Sequence, residues 1–232
     1  MDTSKIFNKL SRQYNFLNHL FSFGIDFLWR KRGANFVVNS LSSKQCKECK
    51  ILDAACGTGD LSLIFARKGF NVIGIDISEK MLAIAEKRTK KFSSQISLIL
   101  GDASSLNPEM SGLDAVTVAY GLRNFDDRKK ALKEFYKVLD RGGVLMVLEF
   151  GRPTNKIIRV LYSFYFKRLM PLLASLFSGG KLYGEFKYFV KSVERFPNCD
   201  DFCNEIKAAG FKDVSYKKQT GGISILYMAK KS

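Results

Sequence analysis

The first feature of this sequence that suggests chemistry is the stretch Asp-Ala-Ala-Cys-Gly-Thr-Gly-Asp at positions 53–60. Gly57 and Gly59 lack a Cβ atom, so the backbone there can adopt positive φ and approach a ligand closely. Asp76 ends the next apolar run, and its two carboxylate oxygens suit the two hydroxyls of a ribose. The loop and the carboxylate together predict a binding site for an adenosine-type ligand.

The kind of ligand is indicated by two departures from a dinucleotide-binding loop. Such a loop carries Gly-x-Gly-x-x-Gly so that a pyrophosphate can lie at the start of a helix, but here the third glycine position is Ser62. Asp53, ahead of Gly57, suits a ligand with an ammonium group and a sulfonium better than a pyrophosphate. The loop therefore favours S-adenosylmethionine over NAD as the cofactor.

A further acidic residue follows a third apolar run, in Gly101-Asp102-Ala103. The Asp102 side chain and the Ala103 amide are placed to bond the edge of an adenine. Taken alone, Asp102 is better explained as the cap of a turn. Because it comes after Asp53, the glycines and Asp76 in the expected order, we predict that it recognises adenine.

These residues must be positioned by elements of two alternating kinds. Short apolar runs rich in β-branched residues predict buried strands, and the amphipathic segments between them predict helices, which is typical of a parallel sheet. Five strands are predicted at 51–55, 72–76, 96–100, 115–119 and 144–148, with helices at 78–92, capped by Ser78, and 126–139. A helix at 199–209 and strands at 211–217 and 222–229 complete a seven-stranded, mostly parallel, Rossmann-like α/β sheet.

We expect the 232 residues to form a single domain with four parts. Residues 1–45 are predicted to be an N-terminal helical cap with two helices, and 46–150 the cofactor-binding core. Residues 151–198 are predicted to be a helical insertion after the fifth strand, with its helical segment at 155–178. Residues 199–232 supply the last helix and strands. The insertion is where we expect substrate specificity to be decided.

The composition is strongly basic. Lys and Arg number 38 against 22 Asp and Glu, a formal charge of +16 that attracts polyanions and anionic membrane surfaces. The most apolar stretch, 160–177, is interrupted by Lys167, Arg168 and Pro171, so no transmembrane helix is predicted. The first residues lack the pattern of an export signal, and a cytoplasmic location is expected, with peripheral contact at the inner face of the membrane.

The five cysteines suggest neither a disulfide framework nor a metal site. Their number is odd, and a chain without an export signal lies where thiols stay reduced. Cys46 and Cys49 form one pair and Cys199 and Cys203 another, with the loose spacing of two unrelated pairs rather than of a zinc site. No metal is predicted.

The charge leaves methylation of nucleic acid as an alternative, but the expected catalytic motifs are lacking. Neither an (Asp/Asn)-Pro-Pro-aromatic stretch nor a Pro-Cys nucleophile follows the fourth strand. Ala-Tyr-Gly-Leu-Arg-Asn-Phe stands there instead, at positions 119–125. We therefore expect no nucleic-acid partner.

That heptapeptide and several other motifs give the chain a resemblance that runs nearly end to end. It resembles the C-methyltransferases of ubiquinone and menaquinone biosynthesis, and within them the demethylmenaquinol methyltransferases. The glycine loop alone is common to very many methyltransferases, whereas the Gly-Leu-Arg-Asn stretch is far more specific. The motifs are Tyr14–Asn18, Ser22–Gly24, Trp29-Arg30, 52–60, Gly121–Asn124, Leu148–Phe150, Tyr165–Lys167, Met170-Pro171, Phe196-Pro197, Ala209–Phe211 and Gly221–Ile223.

The resemblance implies a class I methyltransferase fold and a set of cofactor-binding residues. It adds Thr58 to the positions argued above and matches Asp76, Asp102 and Ala103. The complete predicted set is Asp53, Gly57, Thr58, Gly59, Asp76, Asp102 and Ala103. The chain has Ala119 where the family often has Ser, so one further cofactor contact of the family is not expected here. It also departs at Asn15, where Asp is usual, and at Asp26, where His is frequent, and a catalytic role at these two positions is left open.

The implied reaction is transfer of a methyl group from S-adenosylmethionine to a ring carbon of a polyprenyl quinol. Demethylmenaquinol is the expected acceptor, and a 2-polyprenyl-6-methoxy-1,4-benzoquinol is the alternative. Arg123 is predicted to stabilise a developing phenolate and Asn124 to orient a hydroxyl or a water, although Arg123 could instead be structural. A homodimer and a non-catalytic binding protein are left open.

Overall fold

A seven-stranded mixed sheet forms the centre of the molecule. The computed structural model describes residues 24–42, 48–107, 109–153, 160 and 183–232. The strands lie in the order β3-β2-β1-β4-β5-β7-β6, and only the pairings of β7, with β5 and with β6, are antiparallel. Their bounds are β1 Lys50–Ala54, β2 Asn71–Asp76, β3 Ile96–Leu100, β4 Leu113–Ala119, β5 Leu139–Phe150, β6 Lys212–Gln219 and β7 Ser224–Lys230. The predicted mostly parallel seven-stranded sheet is confirmed.

The central strands are buried because helices cover both faces of the sheet. The described helices are α1 Asp26–Ser40, α2 Asp60–Ala66, α3 Glu79–Thr89, α4 Arg128–Val138, α5 Tyr183–Arg195 and α6 Cys199–Ala208. Trp29 of α1 and Phe65 of α2 belong to the apolar cluster on one face, and Phe135 of α4 and Phe202 of α6 to the cluster on the other. A strand buried on both faces has no polar alternation, as β4 shows.

Side-chain caps fix where several of these helices begin. The Ser78 hydroxyl accepts a hydrogen bond from the Met81 amide at 3.2 Å, so the predicted cap of α3 is confirmed. Asp127 caps α4 in the same way through the Lys130 amide at 2.9 Å. Each cap satisfies a backbone donor at the start of a helix that faces the sheet.

Two predicted boundaries are wrong around position 139. The helix predicted over 126–139 ends at Val138, and β5 begins at Leu139 rather than at position 144. Leu139 pairs with Leu113 ahead of a register shift, and the Gly142 amide donates to the Lys231 carbonyl at 2.8 Å. Pairing with strands that are distant in sequence decides the secondary structure of these residues, and local hydrophobic periodicity cannot predict it.

The predicted cap and insertion are covered only in part. Of the two N-terminal helices predicted in 1–45, α1 is described and packs against β5 and β7; the other lies outside the described residues. The helical segment predicted at 155–178 lies outside them too, except for position 160, while α5 forms the end of the insertion. Among the described helices, none combines the length and apolarity that crossing a membrane requires.

Candidate functional site

The candidate site lies where the strand order reverses. β1 runs between β2 and β4, so the loops that leave these parallel strands diverge and open a crevice at their carboxyl ends, the usual ligand position in such sheets. A cleft of about 720 Å³ occupies this position. Its walls come from the loops after β1, β2, β3 and β4 and include Ala55, Gly57, Ile75, Asp76, Ile77, Met81, Gly101, Asp102, Ala103, Ser104, Gly121, Asn124, Phe125 and Asp126.

The glycine loop has the backbone conformation expected from its sequence. Gly57 has φ of 57° and Gly59 has φ of 81°, both in the region that side chains disfavour. Gly59 also packs against α3, where an added Cβ would lie 3.2 Å from the Thr89 Cγ2 atom. Gly57 faces the cleft, whereas Gly59 serves the turn and its packing.

Asp76 is the residue that holds this loop in place. One carboxylate oxygen accepts from the Gly57 amide at 2.8 Å and the other from the Ser78 amide at 2.9 Å. The side chain also lines the cleft, and each oxygen keeps acceptor capacity for a ligand hydroxyl. Burial raises the pKa of Asp76, although the two backbone amides oppose this shift.

Asp53 lies beneath the loop, in contact with the residue at the third glycine position. Its carboxylate accepts a hydrogen bond from the Ser62 hydroxyl at 2.5 Å, and both residues are fully buried. Burial raises the pKa of Asp53 to about 7, against the opposing effects of the Ser62 hydrogen bond and the positive charge of Arg30. Ser62 therefore has a function that a glycine there would lack.

Arg88 of α3 fastens the loop from the outer side. Its guanidinium donates to the Thr58 carbonyl at 2.9 Å and to the Thr58 hydroxyl at 2.8 Å. A further bond joins it to the Asp60 carboxylate at 2.6 Å. Thr58 is thus held from outside and is not among the residues that line the cleft. Sequence reasoning missed Arg88, since it lies in a cluster of Lys and Arg that looks like a solvated helix face.

The residues after β3 are placed at the cleft, but the Asp102 carboxylate is already engaged locally. It accepts from the Ser104 amide and the Ser104 hydroxyl, both at 2.8 Å. This is the turn-capping arrangement considered as the alternative from the sequence. Ala103 and Ser104 also line the cleft, so the backbone here faces the same space as Asp76.

Two residues with side chains adopt positive φ at the reversal point. Ala55 after β1 has φ of 54° and Tyr120 after β4 has φ of 62°. A left-handed conformation costs about 1–2 kcal/mol at such a residue. Tyr120 compensates by complete burial, with its ring 4.4 Å from that of Phe150 and its hydroxyl 3.1 Å from Ser224 Oγ. Gly121 is required beside Ala55, because a Cβ there would lie 2.7 Å from the Ala55 Cβ.

Arg123 lies behind the cleft wall rather than in it. Its guanidinium pairs with Glu149 Oε2 at 3.0 Å, and the two side chains are 2% and 0% exposed. It also donates to the Tyr120 carbonyl and to Ser192 Oγ of α5, and stacks over Phe189 at 4.9 Å. These contacts correspond to the structural alternative considered from the sequence. Glu149, which sequence reasoning did not select, is the centre of this cluster.

Asn124 is the residue of the predicted catalytic pair that lines the cleft. Its Oδ1 atom accepts a hydrogen bond from the Tyr188 hydroxyl of α5 at 3.3 Å. The amide nitrogen is then available as a donor toward the cleft. Phe125 and Asp126 extend the same wall, and Ile77 and Met81 line it from the side of α3. Sequence analysis selected none of these four, because such side chains are common in loops and cores.

The cysteines and acidic residues of the described ranges form no cluster of three or more potential metal ligands. Cys49 and Cys203 are buried, and Cys199 is half-buried. Cys46, the other member of the first predicted pair, lies outside the described residues.

The chain is similar over nearly its whole length to the proteins of one known family. A model described as the ubiE/COQ5 methyltransferase family matches residues 2–231. A demethylmenaquinone methyltransferase from Thermus thermophilus is 37% identical, covering 96% of this chain and 98% of the relative. One from Chlorobaculum tepidum is 38% identical, covering 97% and 90%. A ubiquinone/menaquinone biosynthesis C-methyltransferase UbiE from Geobacter sulfurreducens is 32% identical, covering 97% and 87%.

Solved structures share the fold at lower sequence identity. A possible histamine N-methyltransferase from Thermotoga maritima superposes with a TM-score of 0.66 at 18% identity, covering 99% of this chain and 100% of that one. Magnesium protoporphyrin IX methyltransferase from Synechocystis, solved with S-adenosylmethionine, gives 0.65 at 16% identity, covering 100% and 98%. The predicted class I methyltransferase fold is confirmed by these neighbours.

The buried pair of Arg123 and Glu149 is expected to be essential for stability. Glu149→Gln leaves a buried guanidinium without its counter-charge, which should lower the free energy of unfolding in urea by about 3–5 kcal/mol. Glu134→Gln is the matched control, because its partner Lys137 is 69% exposed, and it should cost less than about 1 kcal/mol. Equally small losses in both variants would contradict a structural role for the buried pair.

The raised pKa of Asp53 should appear in the pH dependence of stability. Between its ordinary value of 3.8 and about 7, the folded state keeps a proton that the unfolded state has lost. The free energy of unfolding should therefore fall as pH rises through this range, by up to about 4 kcal/mol from this group. Urea titrations from pH 4 to pH 8 should give a flatter profile for Asp53→Asn than for the parent.

The exposed Asp140→Asn variant controls for the loss of one carboxylate and should keep the slope of the parent. The same slope in Asp53→Asn as in the parent would show that Asp53 titrates as an ordinary carboxylate.

Proposed function

The chain belongs to the ubiE/COQ5 methyltransferase family, and on this premise we propose that it transfers the methyl group of S-adenosylmethionine to a ring carbon of demethylmenaquinol. The observation that carries the proposal is the cleft at the reversal point, where Asp76 and the glycine loop meet the Gly-Leu-Arg-Asn turn. The residues proposed to bind the methyl donor and those proposed to hold the acceptor thereby line the same cleft. A direct methyl transfer requires this arrangement.

The described residues fit the donor that the family uses. Asp76 retains acceptor capacity on both oxygens for the ribose hydroxyls, and Gly57 lets the methionine end approach the backbone. Asp102 and Ala103 lie where the adenine edge would be bonded, through the backbone or through a rearranged Asp102 side chain. Gly59 and Thr58 keep the loop in shape. When bound, S-adenosylmethionine supplies an electrophilic methyl group on a sulfonium.

Asp53 lies beneath the loop and not in the cleft wall, and its charge would act on the ammonium group of the donor from there. Ser62 orients its carboxylate, and Arg30 favours the ionised form. Because the pKa of Asp53 is about 7 without a ligand, an ammonium group nearby should draw it toward the ionised form, releasing a proton on binding. Cofactor affinity would then increase between pH 6 and pH 8.

The acceptor must be the reduced quinol rather than the quinone. A hydroquinone whose hydroxyl has lost its proton carries electron density on the ortho carbon, and that carbon would attack the methyl group of the donor. The bond from the methyl group to sulfur would break with its electron pair on the departing sulfur, and the ring carbon would then lose its hydrogen as a proton to restore the aromatic quinol. The enzyme has to hold the two atoms in line at about 3–3.5 Å, which removes part of the barrier by positioning alone. The wall formed by Asn124 and Phe125 is the surface on which the ring would be held.

Asn124 is the residue proposed to contact the quinol oxygen. Since Tyr188 donates to its Oδ1 atom, the amide nitrogen can donate to a developing phenolate. Arg123 is proposed to act by placing Asn124, because its own guanidinium is engaged by Glu149 and Ser192. The direct contact of Arg123 with a phenolate, as inferred from the sequence, stays a prediction.

The branch of quinone biosynthesis is proposed from the relatives. Those from Thermus thermophilus and Chlorobaculum tepidum bear the name demethylmenaquinone methyltransferase, whereas that from Geobacter sulfurreducens bears a name covering both quinones. The benzoquinol of the ubiquinone branch is the alternative acceptor. We also propose that the enzyme works at an anionic membrane surface, since its substrate has a polyprenyl tail and its formal charge is +16.

The function is tested by methyl transfer to defined acceptors. Purified protein with S-adenosylmethionine labelled in its methyl group should place label on a ring carbon of a demethylmenaquinol kept reduced by dithionite. The oxidised quinone should remain unlabelled, because it lacks the required electron density. Product identification by mass spectrometry should give less product from the corresponding benzoquinol. Transfer to RNA with no transfer to either quinol would overturn the proposal.

Asn124→Ala should lower kcat by about 10- to 100-fold, the effect of losing one hydrogen bond to a charged oxygen. The Kd for S-adenosylmethionine, measured by calorimetry, should stay unchanged, because the donor side of the cleft is intact. Tyr188→Phe is the milder companion, as it removes only the bond that orients the amide. Loss of cofactor affinity in step with kcat would place Asn124 on the donor side instead.

A further inference from the structure

A second groove lies at the far side of α1 from the cofactor loop. It runs between α1 and the last two strands, with a volume of about 1330 Å³. We call it the α1–β6 groove. It is lined by Arg32, Asn35, Phe36, Asn39 and Ser40 of α1, by Lys217, Lys218 and Gln219 of β6, and by Leu226, Met228 and Lys230 of β7. None of these residues belongs to the site described above.

The charge of this groove has one sign. Arg32, Lys217, Lys218 and Lys230 are exposed cations along it, and among its described lining residues none is acidic. Phe36, Leu226 and Met228 add an apolar surface beneath these cations. The groove therefore offers donors and apolar contact together, which suits an amphiphile with an anionic head.

Gln219 supplies an independent indication of a ligand. The residue is only 5% exposed, and within the described structure its Nε2 atom has no hydrogen-bond partner. Its Oε1 atom receives a single long contact, at 3.5 Å, from Arg32. A buried donor without a partner costs about 1–3 kcal/mol, and buried polar groups are usually paired with protein or with bound water, so the Gln219 amide is a donor for a group that enters the groove.

An exposed apolar side chain stands at one end of the groove. Leu28 is 50% exposed and lies on the same helical stripe as Arg32 and Asn35. Phe27 is 49% exposed but lies on the other side of α1, where it lines a pocket with Asp60 and Arg88. Binding to a membrane surface combines burial of apolar side chains with attraction of basic residues to anionic lipids. A nucleic acid would match the cations but would leave Leu28 unused.

One end of the groove, at Gln219, lies at the same edge of the sheet as the cofactor cleft, whereas Lys230 lies at the other end. β6 runs in the same direction as β5, since each is antiparallel to β7, so Gln219 lies at the edge formed by the carboxyl ends of β1 to β5. The next residue, Thr220, accepts a hydrogen bond from the Trp29 indole at 2.9 Å, which places the start of α1 at this edge too. A membrane contacted there would face the cleft.

From these observations we infer that the α1–β6 groove binds the phosphate headgroup of an anionic phospholipid. Arg32 and Lys217 pair with the phosphate, and the Gln219 amide donates to an oxygen of the same headgroup. Leu28 enters the surrounding interfacial layer. The inference rests on the proposed function only in that it gives a location to the membrane contact proposed there.

The test compares vesicle binding of charge-matched variants of the full chain. Sedimentation with vesicles of phosphatidylglycerol and phosphatidylcholine should show at least about tenfold weaker binding for Arg32→Ala/Lys217→Ala, because each basic side chain near an anionic surface contributes substantially. Lys90→Ala/Lys91→Ala removes the same charge beside β3, the outer strand at the opposite side of the sheet from β6. This variant should lower vesicle binding by less than about threefold. Equal losses of vesicle binding in the two double variants would show that overall charge determines binding and that the groove is not a specific site.

Gln219→Leu separates a binding role from a structural one. Vesicle affinity should fall several-fold while the thermal midpoint of unfolding stays unchanged or rises, since an unsatisfied buried donor has been removed. A lowered midpoint with unchanged vesicle affinity would overturn the inference for this residue. Glycerol 3-phosphate as a competitor distinguishes a free phosphate from a lipid headgroup: displacement at millimolar concentration would indicate that the groove binds soluble phosphates.

Two further measurements keep this inference separate from the proposed function. The groove variants should methylate a short-tailed, water-soluble demethylnaphthoquinol at the parent rate, because they leave the cleft intact. If the protein methylated no quinol but its vesicle binding still depended on the groove residues, the proposed function would be wrong and the groove inference would stand. Loss of binding to a single-stranded RNA oligonucleotide, with vesicle binding retained, would assign the groove to nucleic acid instead.

Discussion

The site depends on a carboxylate that fastens the loop of a neighbouring strand. Asp76 ends β2 and accepts the amide of Gly57, which follows β1, so two adjacent strand ends are tied by a charged acceptor. Its second oxygen holds the Ser78 amide and thereby the start of α3. Hydrogen bonds to an ionised acceptor are stronger than those between neutral groups. The shape of the donor side follows from this one side chain.

On the acceptor side of the cleft, a buried carboxylate fastens a loop in the same way. Glu149 of β5 accepts the backbone amide of Arg123, which follows β4, at 3.0 Å, and its other oxygen takes the Arg123 guanidinium. Ser192 and Phe189 then bring α5 against this turn. The loop after β4 is consequently fixed from behind, which lets Asn124 face the cleft with a defined orientation. Strained backbone at Ala55 and Tyr120 is tolerated where these two ties meet.

Buried carboxylates at strand ends also make the site sensitive to protons. Asp53 and Asp76 both have raised pKa values, mainly through burial. Each is placed near groups that favour its charged form, backbone amides for Asp76 and Ser62 with Arg30 for Asp53. A cationic ligand would add to these groups. The positive formal charge of the whole chain acts at longer range and concerns the surface on which the protein works.

Local patterns of the sequence determined much of this protein. The apolar runs located the strands, because burial on both faces of a parallel sheet requires continuous apolar residues. Gly57, Gly59 and Asp76 indicated the donor site, because positive φ and a paired acceptor are requirements that a few residue types meet. The resemblance carried by Gly121–Asn124 indicated the family, which the comparisons confirmed.

Only the tertiary structure decided which of these residues face the cleft. Arg123 and Asp53 are turned inward toward Glu149 and Ser62, partners that lie 26 and 9 positions away along the chain. Arg88 reaches Thr58 across 30 positions, and β5 begins early because Leu139 meets Leu113. The physical reason is that a charged side chain is directed by its closest counter-charge or hydrogen-bonding partner in space. Within one helix or strand, the sequence spacing of two residues fixes the distance between their side chains. Between different elements, only packing fixes this distance.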